Sequence, residues 1–337
     1  MSDNIIESEH MPVRPRLTPA MADARRAVRE LLAELKLDQG SRLLVACSGG
    51  PDSMALAAAC AFEVPRAGHR VSAVVIDHGL QEDSNQVAQD AANRCRELGL
   101  EDVSVVRVRV EKSGDGLEAA ARDARYRALE EERARQSAAY VLLGHNRDDQ
   151  AETVLLGLAR GSGLRSISGM PKVDSDRKLA RPLIEISRED LRQSCIDQDI
   201  KFWDDPHNED ERFMRVRVRN LAMHLEHTLG PGFQTALART AELAFEADEF
   251  LTNEAKAQLG RIDSGSGLPV EKLSEMHAAL RRKVLQLHLQ SIAGSSISRS
   301  QVFEAEQLVI NWHGQKKLDL SGITVERVND HLLVKAK

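Results

Sequence analysis

The chain has 337 residues, 42% hydrophobic and 29% charged, which suits about two globular domains with real cores and excludes a low-complexity or disordered class. The formal net charge is -6, and the excess of acid lies before Gly230, so bulk charge does not advertise a nucleic-acid partner and any anion-binding surface must be local. Aromatic residues make up only 3%, so Leu, Val, Ile and Ala must build the cores. No run reaches the roughly 18 apolar residues of a membrane helix. The first sixteen residues are polar, contain Pro and lack an apolar signal core, which predicts a loose cytoplasmic N-terminus over 1–16. Cys47, Cys60, Cys95 and Cys195 form no CxxC pair and sit in apolar or helical settings, as expected of buried thiols in a reducing cytosol.

Thr18-Pro19 reads as an N-cap with Pro in the first helical turn, opening a helix to about Leu37 that Gly40 closes. "RLLVAC" is a short, fully apolar strand and "MALAAACAF" a helix behind it. "VSAVVID" (Val71 to Asp77) is a second buried strand. Ser84 caps a helix that ends at Gly99, and "DVSVVRVRV" is a third strand whose outer half alternates Val and Arg. A charged helix, "LEAAARDARYRALEEERARQ", a fourth strand, "AYVLLGH", and a helix, "DDQAETVLLGLAR", follow. Apolar strands alternating with helices predict an α/β fold, a parallel sheet with helices on both faces. In such sheets ligands bind beyond the C-terminal strand ends, and Ser48–Ser53, Asp77-His78 and the segment from His145 to Glu152 all stand at such ends.

After Gly161 the pattern loosens into a Gly/Ser-rich loop. "SRED" (Ser187 to Asp190) is a capping box, and "DDPHNEDERFMRVRVRN" is a charged loop running into a helix. Gly230-Pro231-Gly232 marks a boundary between a catalytic domain over 17–229 and a smaller, mostly helical domain over 230–337. The latter holds a long helix from Phe233 to Leu259, helices over Val270–Ile292 and Ser298–Asn311, and a closing hairpin around Asn329-Asp330.

The turn "SGGPDS", Ser48-Gly49-Gly50-Pro51-Asp52-Ser53, carries the most chemistry. A helix that starts directly after a strand leaves its first N–H groups unpaired, and with the helix dipole they attract an anion. Two glycines let the backbone approach that anion, Pro51 suits the first helical turn, and the hydroxyls of Ser48 and Ser53 add donors. The turn therefore reads as a phosphate cradle, but no Gly-Lys-Ser/Thr follows it and GxGxxG is absent. Asp52 inside an anion cradle implies a cation or a proton transfer, and Mg²⁺ on a triphosphate is the natural cation.

"SGGPDS" resembles the SGGxDS pyrophosphate loop of the ATP pyrophosphatases. Four further stretches, "IDHGLQEDS", "GHNRDDQAETVLLGLARGSGLRSISGM", "ARPLIEISREDL" and "DDPHNEDERFMRVRVR", resemble the motifs of the tRNA(Ile)-lysidine synthetases in order and spacing, from about Arg42 to Arg219. The tail resembles that family's first C-terminal domain. This resemblance implies adenylation by ATP of C2 of the wobble cytidine in a CAU-anticodon tRNA(Ile), then displacement of AMP by free L-lysine. It implies Asp52, Arg122 and Arg215 as catalytic, and Ser48, Gly49, Gly50, Pro51, Asp52, Ser53, Asp77 and His78 around ATP. Asp52 is either the Mg²⁺ ligand or a proton acceptor. Asp149 and Glu152, three apart at a helix start, would seat the ammonium of lysine, with His145 as a second proton acceptor. Arg122 and Arg125-Tyr126 match an ARxxRY helix that steadies departing pyrophosphate. Arg212, Arg215 and Arg219, at spacings of three and four, would form one helical stripe toward tRNA phosphate. Val216 and Ser166 replace an Asn and a Gly of the family pattern. The rivals are tRNA thiolation or an amidation on the same ATP loop, and a non-catalytic nucleotide-binding module. A homodimer is left open, since sequence does not report assembly.

Overall fold

The computed structural model describes residues 17–77, 79, 83–108, 117–161, 163–262 and 267–337, so the N-terminus over 1–16 and His78 lie outside the described residues. The described residues divide into two compact units, 17–156 with 170–238, and 157–169 with 239–337. The division falls inside a long helix, and Gly230 and Gly232, both with positive φ, serve as a turn between two helices.

In the first unit, helix α1 (Pro19–Leu35) begins where the Thr18 hydroxyl accepts from Met21 N–H, and it ends with Lys36 in a left-handed conformation. The sheet comprises β1 (Arg42–Cys47), β2 (Arg70–Asp77), β3 (Glu101–Arg107), β4 (Ala138–Leu143), β5 (Val173–Asp174) and β6 (Leu179–Ala180). Their spatial order is β3-β2-β1-β4-β6-β5, parallel except for the β5–β6 pair. The sheet is therefore mostly parallel with one antiparallel edge. Strands of two residues carry no periodicity, which is why the loop reading after Gly161 passes over β5 and β6.

Side chains of β1 alternate between two cores. Leu43, Val45 and Cys47 pack with α1, α2 (Pro51–Arg66), α3 (Ser84–Glu97) and α7 (Arg188–Asp197), while Leu44 faces Tyr126 and Leu129 of α4 (Leu117–Arg135). In chain order, α5 (Arg147–Arg160) and α6 (Leu164–Ile167) lie between β4 and β5. The chain thus covers one face with α2 and α3 and crosses to the other with α4, so β1 and β4 are neighbours whose following segments diverge. That is the crevice where ligands bind in open α/β sheets. Edge strand β3 is the one of the first four that lacks a fully buried residue, in keeping with its Val/Arg alternation.

The first unit closes with α8 (Met214–Leu229) and the start of α9 (Phe233–Ile262). In the second unit, β7 (Leu268–Pro269), β8 (Leu318–Leu320), β9 (Ile323–Val328) and β10 (His331–Ala336) form an antiparallel sheet in the order β7-β10-β9-β8. It packs on α10 (Val270–Glu275), α11 (Ala278–Ala293) and α12 (Arg299–Ile310) around Leu273, Leu285, Leu289 and Leu308. The hairpin expected at Asn329-Asp330 forms, with Val328 opposite His331 and Asn329 at φ 52°. The single helix expected over Val270–Ile292 is instead broken at Met276, where the Met276 carbonyl accepts from Arg281 Nη1 and His277 caps the following turn.

Glu306 is fully buried and accepts from Arg281 Nε at 2.8 Å and Arg282 Nε at 2.7 Å. Removing one partner of a buried ion pair leaves an uncompensated charge, at a cost of about 3–5 kcal/mol. Glu306→Ala is expected to lower the urea midpoint of the full chain accordingly; an unchanged midpoint would show that Arg281 finds another partner.

Candidate functional site

The turn after β1 is built for close approach. Gly50 is the N-cap of α2 and Pro51 its first residue. Gly49 has φ 84°, which favours glycine, and a Cβ there would crowd Ala91 Cβ at 3.0 Å. Ser53 Oγ donates to Gly50 O at 2.9 Å, accepts from Ser48 N–H at 3.1 Å and lies 3.2 Å from Ser48 Oγ. Trp203 N–H donates to Gly49 O at 2.8 Å and fixes the outer side of the turn. From the neighbouring strand, a Cβ on Gly144 would stand 3.1 Å from Asp52 O and from Ser53 Cα. The end of β4 thus rests directly on the first turn of α2.

A cavity of about 300 Å³ opens at this corner, lined among others by Ser48, Asp52, Ser53, Asp77, Arg125 and His145. Asp77 closes β2, buried, with Oδ1 accepting from Gly79 N–H at 2.9 Å and Oδ2 3.8 Å from Arg107 Nε. Its carboxylate therefore also shapes the strand-end turn. His78, its expected companion, lies outside the described residues.

One flank of the corner is acidic. Asn146, fully buried, caps α5: its Oδ1 accepts from Asp149 N–H, and Asp149 Oδ2 accepts from Asn146 N–H, each at 3.0 Å. Asn146 Nδ2 also donates to Asp52 Oδ2 at 3.0 Å. Arg188, at the start of α7, reaches Asp149 Oδ1 at 2.9 Å, Glu152 Oε1 at 3.6 Å and Asp52 Oδ2 at 3.6 Å. Arg219 Nε donates to Glu152 Oε1 at 2.7 Å. Two buried carboxylate oxygens, Asp52 Oδ1 and Glu152 Oε2, have no hydrogen-bond partner among the described residues. Burial raises the Asp52 carboxyl to about 7 against the pull of Arg188, with Asp149 and Asp148 pushing the same way as burial. Burial and Asp149 likewise raise Glu152.

The other flank is basic. Tyr126, buried on α4, has the guanidinium carbons of Arg122, Arg125 and Arg177 at 5.1, 5.3 and 4.8 Å from its ring centre. Arg181, just after β6 and 4% exposed, donates from Nη1 to Pro171 O at 2.7 Å and from Nε to His145 Nδ1 at 3.3 Å. Burial and the charges of Arg125, Arg181, Arg122 and Arg215 hold His145 well below the usual imidazole range.

The fold thus gathers Ser48–Ser53, Asp77, His145, Asp149 and Glu152, with Arg122 and Arg215 on the basic flank. Three expectations are revised. The stripe of Arg212, Arg215 and Arg219 does not form, because α8 starts at Met214; Arg212 precedes it, exposed and paired with Asp210 at 2.6 Å. Arg219 is bound to Glu152. His145 has Nδ1 engaged by the Arg181 donor, so a role as proton acceptor would need that contact to be released. Arg181 and Arg188 belong to the site, yet in the sequence they stand out only inside "ARPLIEISRED", where Ser187 caps α7 through Asp190 N–H as the capping box predicts. An arginine followed by proline after two apolar residues was the available signal for Arg181. All four cysteines are free and buried.

Comparison with known proteins places these features in a family. A PP-loop domain family matches residues 21–226, and a TilS substrate binding domain family matches 268–333. The chain is 47% identical over 290 residues to the tRNA(Ile)-lysidine synthase of Streptomyces coelicolor, covering 85% of this chain and 82% of that protein. It is 42% identical over 323 residues to the tRNA(Ile)-lysidine synthase of Thermobifida fusca, covering 94% and 97%. The fold is similar to that of the U34-tRNA thiolase NcsA from Methanococcus maripaludis, with a TM-score of 0.57 at 18% identity over 67% of this chain and 80% of that one.

Asp52 generates a stability test. Its carboxyl is raised from 3.8 to about 7 in the folded chain, so between those values the folded state holds a proton that the unfolded state has lost. This group's contribution is therefore full below the unfolded value and is lost as pH rises toward 7. Asp52→Asn has no proton to lose. It should melt higher than the parent at pH 8, with the gap closing by about pH 4; equal melting temperatures at both pH values would contradict the buried, unpartnered oxygen.

Proposed function

Since the chain belongs to the tRNA(Ile)-lysidine synthase family, we propose that it uses ATP and free L-lysine to convert the wobble cytidine of a CAU-anticodon tRNA(Ile) to lysidine. The observation that carries the reading is the pair of orphaned buried carboxylate oxygens, Asp52 Oδ1 and Glu152 Oε2, beside a glycine turn at a helix N-terminus. A buried acceptor without a donor is costly, and a site keeps it when a ligand supplies the partner.

In this reading the nucleoside occupies the cavity bounded by Asp77 and the turn, with the polyphosphate on Gly49, Gly50, Pro51, Ser48, Ser53 and the N-terminus of α2. Cytidine O2 attacks the α-phosphorus, an O2–P bond forms and pyrophosphate leaves with its bond electrons. Arg122 and Arg215, on the basic flank, neutralise the charge that builds on it. An amine of lysine then attacks C2, the C2–O2 bond breaks and AMP departs. The attacking amine must first lose a proton, and the raised carboxyl of Glu152 makes its free Oε2 the fitting acceptor, with Asp149 holding the ammonium close. Asp52 Oδ1 fits an Mg²⁺ ion, which binds through one or two carboxylates plus phosphate oxygens and would lower the charge on the triphosphate. Arg212, exposed beside α8, is a candidate for tRNA phosphate.

Incubation with ATP, ¹⁴C-lysine and bulk tRNA should place label in tRNA, dependent on ATP and lost in Asp52→Ala. In Glu152→Gln, lysine transfer should fall by about 10²–10⁴-fold, the usual worth of a positioned base, while tRNA-dependent pyrophosphate release persists. ATP turnover that ignores tRNA, or label appearing only with a sulfur or ammonia donor, would overturn the reading.

A further inference from the structure

His145 follows Gly144 at the end of β4, and its side chain lines the same cavity as Ser48, Asp52 and Ser53. Its Nδ1 lies 3.3 Å from Arg181 Nε. A guanidinium carries donors only, so Nδ1 must accept, and an imidazole that accepts at Nδ1 bears its hydrogen at Nε2. Arg181 is itself held from two sides. Its backbone N–H donates to Lys172 O at 2.8 Å and its Nη1 to Pro171 O at 2.7 Å, and only 4% of the residue is exposed. A guanidinium fixed this way imposes one orientation on the ring it touches, as the outer partner of a histidine ligand does.

We propose that Arg181 is a positioning residue that locks His145 as an uncharged hydrogen-bond donor, so that Nε2–H serves an anionic oxygen of the nucleotide bound in the cavity. The inference rests on the reading that the cavity takes ATP. The imidazolium form is disfavoured because it would set Nδ1–H against a guanidinium N–H, and Arg122, Arg125 and Arg215 add like charge on the same side. A neutral donor has its own use beside an arginine cluster. It directs one hydrogen bond to a developing oxyanion without adding charge that would grip the ground state.

The test begins with the ligand-free full chain, labelled with ¹⁵N-histidine. The signal of His145, one of 11 histidines, is assigned by its loss in His145→Gln. At neutral pH it should show the Nε2–H tautomer alone, and it should not titrate between about pH 5.5 and pH 8. In Arg181→Met the Nδ1–H tautomer should appear, and kcat for tRNA-dependent pyrophosphate release should fall by about 10- to 100-fold with the KM for lysine little changed. Arg181→Lys, which keeps a donor, should restore the tautomer and part of kcat. An Nδ1–H or doubly protonated His145 in the parent chain, or an Arg181→Met variant with parental tautomer and kcat, overturns the proposal. Because the tautomer is read without substrate, its failure is separate from a failure to label tRNA with lysine.

Discussion

The pairing of β1 with β4 is the constraint on which the site depends. The chain returns from the sheet edge through α4 and inserts β4 beside the first strand, in parallel, with Leu43 opposite Tyr140 and Ala46 opposite Leu143. That register delivers Gly144 onto the backbone of Asp52 and Ser53, so close that a Cβ there would press on backbone atoms at 3.1 Å. With the two strand ends in contact, the helices that follow them, α2 and α5, present their N-termini at one corner. Both dipoles then favour negative charge there, whether carried by a phosphate or by the protein's own carboxylates. Asp52 of α2 and Asp148 and Asp149 of α5 occupy the first turns of these helices, with Glu152 one turn further along α5, and the same electrostatics would favour a phosphate there.

Crowding like charges has a consequence that shapes the rest of the first unit. Carboxylates at helix starts with little access to water repel one another, and burial disfavours their charged forms. The fold answers with two arginines from later in the chain. Arg188 opens α7 and divides its guanidinium among Asp52, Asp149 and Glu152, while Arg219 of α8 binds Glu152. On the opposite flank the imbalance is reversed: Arg122, Arg125, Arg177 and Arg181 gather around Tyr126 and His145. The corner therefore has an acidic flank and a basic flank.

What the sequence discloses follows from how local each interaction is. Apolar runs mark β1, β2 and β4, and a glycine pair followed by Pro51 marks a strand-to-helix turn, because those signals depend on neighbours within a few residues. The hairpin at Asn329-Asp330 is legible for the same reason. Partner choice is not. Arg219 and Glu152 are 67 residues apart, and no spacing rule tells a reader that this arginine meets a carboxylate instead of a phosphate. Arg212 illustrates the complementary limit: a spacing of three from Arg215 promises one helical face, but the helix starts two residues too late to include it. Arg181 escapes notice because β5 and β6 are too short to show a period, so the sequence offers no sheet edge on which to place it.

The charge count at the acidic flank links these features to the chemistry. Asp52, Asp148, Asp149 and Glu152 face two guanidinium groups, so full ionisation would leave a net negative charge in a poorly hydrated corner. Burial and the crowding make protonation easier: the Asp52 carboxyl is raised to about 7, and that of Glu152 is raised as well. Protons held for want of cations are released when cations arrive, so binding of a metal ion or an ammonium there is linked to loss of protons from these carboxyls. In the proposed reaction, a carboxylate so freed would be the stronger acceptor for a proton of an amine that enters beside it. On the basic flank, His145 stays neutral for the converse reason, since the arginines around it leave no room for another positive charge. One corner therefore sets a group of arginines on one side apart from the raised carboxyls on the other, so the two need not neutralise each other in the proposed reaction.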